Sequence, residues 1–171
     1  MKISEERLQE MYELAGVTKE KLHESLRRMG TEHLKTKPMR DTWSEENPTK
    51  NYCYVIAEFV YYYLSPRGSK PYKLPDIPGD DGLHRFIMWP DYSIVDLAVD
   101  QFSNFEDINY TKAKKCYFMY NTYGSPGPSN RTRLLGELMG LKLSEDRAKK
   151  VTSRLSLVEH QLAKELRAQG A

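Results

Sequence analysis

Two amphipathic segments open the chain. Residues 4–15 and 18–29 carry apolar side chains at the three-and-four spacing of one helix face. Gly16 and Val17 separate the two segments. Thr18 is a good N-cap for the second, and Gly30 is a good stop. The pattern predicts a helical hairpin within residues 1–32.

A polar stretch and then a long apolar run follow. Residues 33–50 contain Pro38 and Pro48 and predict a loop that carries Trp43. From about residue 51 the apolar positions return to helical spacing, which predicts a helix buried on a wide face. Those positions are Val55, Ile56, Phe59, Val60, Tyr63 and Leu64. Residues 65–82 are rich in Pro, Gly and Asp and predict a long exposed excursion at the rim of a site.

The second half of the chain predicts a small sheet and two more helices. "LHRFIMW" and "SIVDLAV" are typical of two strands joined at "PDY", and "KCYFMYNTY" is a third strand candidate. Residues 131–141 and 144–168 have helical periodicity. We therefore predict one α+β domain over residues 1–171. Its parts would be the N-terminal hairpin, an α+β core over 41–141 and a C-terminal helix over 144–169.

Composition adds limits on function. The hydrophobic fraction is 39%, the charged fraction 29% and the formal charge +2, values typical of a soluble globular protein. The acidic first residues lack a secretory h-region and no apolar run reaches about 20 residues, so we expect a cytoplasmic protein with no membrane span. The two cysteines, Cys53 and Cys116, are expected as thiols. Without CxxC or HExxH spacing, neither a metal nor another cofactor is predicted.

Cys53, His84 and Asp96 form the candidate catalytic set. A cysteine nucleophile acts as its thiolate, which a helix N-terminus stabilises, and Asn51 could cap such a helix just before Cys53. The nucleophile also needs a base, and the base needs an orienting partner. His84 and Asp96 on successive strands could supply both. The alternative is that Cys53 is a small apolar residue of the core.

The geometry of the predicted hairpin decides whether His84 and Asp96 meet. His84 and Phe86 lie on one face of the first strand, because side chains alternate. Asp96 joins that face if it pairs with Phe86, which requires a three-residue loop at positions 90–92. A loop of four residues would place Asp96 opposite Ile87 and separate the set, unless a bulge intervenes.

Three stretches resemble the YunG-like family. "DTWSEENPTKNYCYVIAEFVYYYL" resembles its tryptophan-to-cysteine segment, in which Trp-Ser, Asn-Pro and Gly-Gln-Cys precede an apolar helix. "HRFIMWPDYSIVDLAVDQF" resembles its His-Tyr-Trp-Asn, Pro-Asp-Gly, Asp-Leu-Thr and Gln-Phe segment, and "SNRTRLL" resembles a downstream Arg-Tyr-x-Leu-Leu. The likeness covers roughly residues 41–133.

The layout of that family looks like a papain-like or transglutaminase-like thiol fold. The resemblance implies Cys53 as nucleophile, His84 as base and Asp96 as orienter, on a helix packed against a small antiparallel sheet. The matching framework positions are Trp43, Asn47, Pro48, Leu97, Gln101 and Phe102. The implied activity is hydrolysis or acyl transfer on an unknown carbonyl substrate, which would be a protein, peptide or amide.

The residues before the cysteine depart from the family pattern. Asn51 and Tyr52 stand where the family has Gly-Gln. That glutamine would donate to an oxyanion, and loss of one such donor costs about a hundred- to a thousandfold in rate. Asn51 is the candidate replacement. The rival interpretation is a catalytically silent scaffold that binds proteins or nucleic acid through its terminal helices.

Other features have weaker functional interpretations. The tyrosines at 61–63 are expected to belong to the core, and Arg131 and Arg133 could meet an anion at a helix start. The last helix has an apolar stripe and mixed charges, so we expect it to pack on the body or form a homodimer. Nucleic acid binding through Lys149, Lys150 and Arg154 is less favoured but stays open.

Overall fold

The two N-terminal helices form close to their predicted bounds. The computed structural model describes residues 3–75, 77, 82–118 and 127–143. Helix α1 spans Glu5–Ala15 and α2 spans Lys19–Met29. The Thr18 side chain accepts a hydrogen bond from the backbone N–H of Lys21, as an N-cap does. The C-terminal helix predicted over residues 144–168 lies outside the described residues.

The stretch predicted as a loop over residues 33–50 contains a short helix. Helix α3 spans Lys37–Thr42, and Thr36 caps it by accepting from the N–H of Met39. Pro38 lies in the first turn, where a missing N–H costs nothing. The loop prediction is wrong here because this proline starts a helix instead of breaking one. Trp43 follows α3, and its indole N–H donates to the Pro48 carbonyl at 3.0 Å.

The central helix bears Cys53. Helix α4 spans Cys53–Phe59 and continues as a π-helical turn over Val60–Leu64, so the predicted helix end at Leu64 is confirmed. Its buried face includes Val55, Ile56 and Phe59.

Helix α5 spans Asn130–Leu138 and packs on α4. Gly136 lies against the Tyr63 ring, and the buried Glu58 carboxylate accepts a hydrogen bond from the N–H of Ser129 at the start of α5. Burial raises the pKa of Glu58, while hydrogen bonds from Ser129 and Thr132 act in the opposite direction.

A four-stranded antiparallel sheet lies within the described residues. Strands β1 (Lys70–Leu74), β2 (His84–Met88), β3 (Ile94–Val95) and β4 (Lys114–Lys115) have the order β3-β2-β1-β4. Strand β2 packs against α4. The predicted coarse class, α+β, is therefore confirmed. Within the same described ranges, no helix combines the length and the apolar character that crossing a bilayer requires.

Strand β1 corrects the prediction of an exposed excursion over residues 65–82. It lies inside the sheet and pairs with both β2 and β4. Tyr72 and Leu74 are buried. Pro71 concealed the strand in the sequence, because proline is disfavoured in central strands. Its carbonyl nevertheless accepts a hydrogen bond from the N–H of Cys116 at 3.0 Å.

The third strand is much shorter than "KCYFMYNTY" predicts. Strand β4 contains Lys114–Lys115, and Cys116 adds one further backbone contact to β1. Phe118 packs against the rings of Tyr54 and Tyr61. Residues 119–123 of the predicted strand lie outside the described residues.

Candidate active site

The hairpin of β2 and β3 has the register that brings His84 and Asp96 to one face. Ile87 pairs with Val95 and Met88 with Ile94, so Phe86 stands opposite Asp96. Of the two loop lengths that the sequence left open, the structure has the three-residue loop at positions 90–92. Trp89 N–H donates to Ser93 O at 2.9 Å, and Tyr92 completes the loop with φ of 70°. A left-handed residue at that position is typical of three-residue hairpins.

His84 and Asp96 are in direct contact inside the protein. His84 Nε2 lies 2.6 Å from Asp96 Oδ2, and each residue is 1% exposed. The same carboxylate oxygen accepts from the Tyr110 hydroxyl at 2.5 Å. The other oxygen accepts from the N–H of Ala98 at 3.3 Å. Three donors compensate the buried charge of an ionised Asp96, and His84 then carries a proton on Nε2.

Cys53 lies beside His84 at the first position of α4. Its thiol is half-buried and donates weakly to the Leu83 carbonyl at 3.7 Å. Burial lowers the pKa of His84, but the Asp96 charge, the Asp96 hydrogen bond and a hydrogen bond with Cys53 together raise it above its ordinary value. Since Nε2 is engaged by Asp96, Nδ1 is the nitrogen left to exchange a proton with the thiol.

Asn51 does not occupy the position that the sequence suggests. The N-cap of α4 is Tyr52, without a side-chain capping bond, and Asn51 has a left-handed backbone with φ of 66°. Its side-chain amide donates to Met39 O and Thr42 Oγ1, each at 2.8 Å. The prediction that Asn51 caps the helix is wrong, because Tyr52 occupies the N-cap position. The two side-chain contacts use both amide hydrogens of Asn51. The Asn51 amide is also not free to donate to an oxyanion in this arrangement.

Gln101 reaches the free side of the His84 ring. It lies in a 3₁₀ turn over Val99–Gln101, and its Nε2 is 3.3 Å from His84 Nδ1. The same Nε2 donates to Ala98 O at 3.0 Å, and Oε1 accepts from the backbone N–H of Asn51 at 3.4 Å. The Phe102 ring packs edge-on against His84 with centroids 5.0 Å apart.

The framework positions join the segment before Cys53 to the segment after Asp96. Asn47 Nδ2 donates to Gln101 O at 3.0 Å. Leu97 O accepts from the Tyr12 hydroxyl at 3.2 Å, which ties the turn to α1. These contacts fix the start of α4 relative to the hairpin. They explain locally why the cysteine and the histidine are neighbours.

A groove adjoins the candidate site. Its volume is about 730 Å³, within the range of ordinary ligand sites. Gln101 and Phe102 line it and also contact His84. Uncharged hydrogen-bonding side chains form much of the remaining wall: Thr42, Ser44, Asn47, Ser103 and Asn104. Asp100, Asp107, Ile77 and Ile108 also line the groove, whereas Cys53 and His84 are not among its lining residues. The groove therefore reaches the imidazole through Gln101 and Phe102.

The weaker candidates have structural partners. Arg131 donates to the His33 carbonyl at 3.3 Å. Tyr63 is buried as expected, whereas Tyr61 and Tyr62 are half-buried and pack with Phe118. In the parts of the chain that the structure describes, no group of three or more His, Cys, Asp or Glu side chains is arranged to hold a metal ion.

Tyr110 is the site residue that sequence reasoning missed. It is fully buried and orients Asp96 from a 3₁₀ turn over Tyr110–Lys112. Nothing in the sequence around it marks a second donor to the carboxylate. Gln101 was predicted as framework through the Gln-Phe resemblance, but its position at His84 Nδ1 has no local sequence signature.

Comparison with known proteins does not add to the geometry. No protein-family model, curated protein or solved structure matches this chain.

Proposed function

We propose that this protein is a cysteine-dependent hydrolase or acyl transferase that uses Cys53, His84 and Asp96. The observation that carries the proposal is the buried His84-Asp96 pair, with Nε2 2.6 Å from Oδ2, next to the Cys53 thiol, whose presence contributes to raising the pKa of His84. These are the nucleophile, base and orienting group of thiol catalysis. The resemblance to the YunG-like family and its papain-like layout supports the same assignment.

The mechanism begins with proton transfer from Cys53 Sγ to His84 Nδ1, while Asp96 holds the proton on Nε2. The thiolate attacks the substrate carbonyl carbon, and the carbonyl π electrons move to oxygen. The backbone N–H of Cys53, which has no intrahelical partner at the first helical position, stabilises that oxyanion. Collapse of the intermediate forms a thioester, and His84 Nδ1–H protonates the departing amine. Water or another amine then attacks the thioester.

The groove favours a polar amide substrate such as a peptide over a long aliphatic acyl chain. Its uncharged polar side chains can exchange hydrogen bonds with peptide groups, whereas an alkyl chain would bury them without partners. Lys50, which lies 5.9 Å from the centre of the Phe102 ring, adds a cation to the wall, and Asp100 and Asp107 add two carboxylates.

The state of Asn51 favours a second candidate, the catalytically silent scaffold. Both hydrogens of its amide are held by Met39 and Thr42, so the oxyanion would lack the side-chain donor that the resemblance implies. A scaffold of this kind would keep the Cys53 environment without turnover and act through its helices.

Alkylation of Cys53 by iodoacetamide across pH 5–9, followed by mass spectrometry, tests the first proposal. We expect His84→Asn to slow alkylation at pH 6–7 by at least tenfold, because it removes the proton acceptor. Cys116 is a control in the same molecule, since it is 7% exposed and burial raises its pKa. Cys53→Ser identifies the labelled thiol.

A folded His84→Asn variant that alkylates at the wild-type rate would refute the catalytic assignment. If the rate does depend on His84, electrophilic peptide amides and fatty acyl thioesters should be compared next. Preferential labelling by the peptide probe supports a polar amide substrate, and preferential labelling by the acyl probe contradicts it. Labelling by small electrophiles with no turnover of any carbonyl substrate would favour the scaffold.

A further inference from the structure

Gln101 is in a position to compete with Cys53 for the same nitrogen of His84. Its Nε2 lies 3.3 Å from His84 Nδ1, and both side chains are buried. Nδ1 is also the atom that must take the Cys53 proton, because Nε2 is bound to Asp96 at 2.6 Å.

Two other contacts fix the orientation of the Gln101 amide. Nε2 lies 3.0 Å from the Ala98 carbonyl oxygen, and Oε1 lies 3.4 Å from the Asn51 backbone nitrogen. A flipped amide would place oxygen against the carbonyl and nitrogen against the N–H. Gln101 therefore faces His84 as a donor, and Nδ1 must be unprotonated to accept from it.

If Nδ1 of His84 were also protonated, its N–H would face an N–H of the Gln101 amide, and two donors would oppose each other. The thiolate-imidazolium pair thus requires the amide to move away from Nδ1. We propose that Gln101 is a positioning residue that restrains formation of the thiolate-imidazolium pair by holding Nδ1 as an acceptor. This inference rests on the proposed thiol chemistry and names a regulator of the same site.

The other groups around the ring act differently. Asp96 stabilises the positive charge of His84, and Cys53 stabilises it once the thiol is ionised. Tyr110 acts through Asp96, to which it donates. Phe102 packs on the ring without charge. Among these neighbours, Gln101 is the one that favours the uncharged imidazole through a hydrogen bond to Nδ1.

The test compares Cys53 alkylation in wild type, Gln101→Met and Gln101→Glu. Methionine has a similar length and cannot donate, so the rate at pH 6–7 should rise about two- to tenfold, the worth of one neutral hydrogen bond. Glutamate presents an acceptor to Nδ1–H and should raise the rate at least as much. It also supplies a second variant if methionine disturbs folding. In ¹⁵N NMR, the His84 titration midpoint should rise by up to about one pH unit in either variant.

The double variant Gln101→Met with His84→Asn separates the two proposals. If alkylation depends on His84 but neither Gln101 variant is faster than wild type, the restraint is refuted and the catalytic set stands. If neither the wild type nor Gln101→Met depends on His84, the catalytic assignment itself fails. A faster Gln101→Met whose gain disappears with His84→Asn supports both.

Discussion

Removal of the Tyr110 hydroxyl measures how strongly the fold holds Asp96. Tyr110→Phe deletes the 2.5 Å hydrogen bond to Asp96 Oδ2 and keeps the ring that packs on Phe86. Burial, followed by the Asp96 charge, raises the pKa of Tyr110 well above its usual value, so the hydroxyl remains a donor at neutral pH. A hydrogen bond to a charged group contributes about 1.5–3 kcal/mol.

Tyr12→Phe is a matched control. Tyr12 is equally buried, but its hydroxyl donates to the uncharged Leu97 carbonyl at 3.2 Å. That bond should contribute about 0.5–1.5 kcal/mol, so Tyr110→Phe should cost about 1 kcal/mol more. Urea unfolding at pH 7, followed by tryptophan fluorescence, measures both free energies. For a chain of this size each kcal/mol lowers Tm by about 2–4 °C.

A double-mutant cycle with Asp96→Asn isolates the charge. In that background Tyr110→Phe should cost no more than Tyr12→Phe, because the acceptor is neutral. Two results would refute the reasoning that Asp96 is an ionised carboxylate held by this donor. One is an equal cost for the two tyrosines in the wild-type background, and the other is a Tyr110→Phe cost that Asp96→Asn does not diminish.

Three further predictions concern the surrounding fold. Gly136→Ala should lower the free energy of unfolding by about 1–3 kcal/mol, because the new Cβ would clash with the Tyr63 ring. Tyr63→Leu should recover part of this loss. If urea unfolding showed no loss for Gly136→Ala, the close packing of Gly136 on Tyr63 would be contradicted. Asn51→Ala should lower the free energy of unfolding by about 1 kcal/mol more than Asn51→Gly in the same assay. Both variants lose the side-chain hydrogen bonds, but only alanine is strained at φ of 66°. Equal losses would argue against the left-handed backbone at this position. Burial raises the pKa of Glu58, so the contribution of Glu58 to the free energy of unfolding should fall as pH rises from about 4.5 through the raised pKa. Glu58→Gln should not show this fall between pH 4 and 8. If Glu58→Gln had the same pH profile of stability as wild type, the prediction would be wrong.

Local rules predicted the elements that have strong periodicity. Helices α1 and α2 begin and end close to the predicted caps, and the hairpin between β2 and β3 lies where alternation predicted two strands. The wrong predictions occur at prolines, because a proline can take more than one structural role. Pro38 begins a helix instead of breaking one, and Pro71 lies inside a sheet. Propensity could not resolve either, because the surrounding structure decides which role a proline takes.

The candidate site could be predicted only in part, since sequence order carries little information about contacts from distant segments. The His84 and Asp96 contact lies within one hairpin, so alternation reduced it to two possible loop lengths, and the register of the structure selects the three-residue loop. Tyr110 and Gln101 approach from 3₁₀ turns, which have no clear periodic signal. Asn51 shows that closeness in sequence does not ensure a contact with the site. It is next but one to Cys53, yet its side chain is committed to residues 39 and 42.

The loop at positions 90–92 makes the His84-Asp96 contact depend on the number of residues between the two side chains as well as on their identity. An insertion of one residue could leave Cys53, His84 and Asp96 in the sequence and still separate Asp96 from His84, unless the chain absorbed the insertion as a bulge. Searches for active relatives should therefore score the spacing from His84 to Asp96 together with the residues themselves. In evolution, a single insertion or deletion there offers a short route between an enzyme and a binding protein with the same surface.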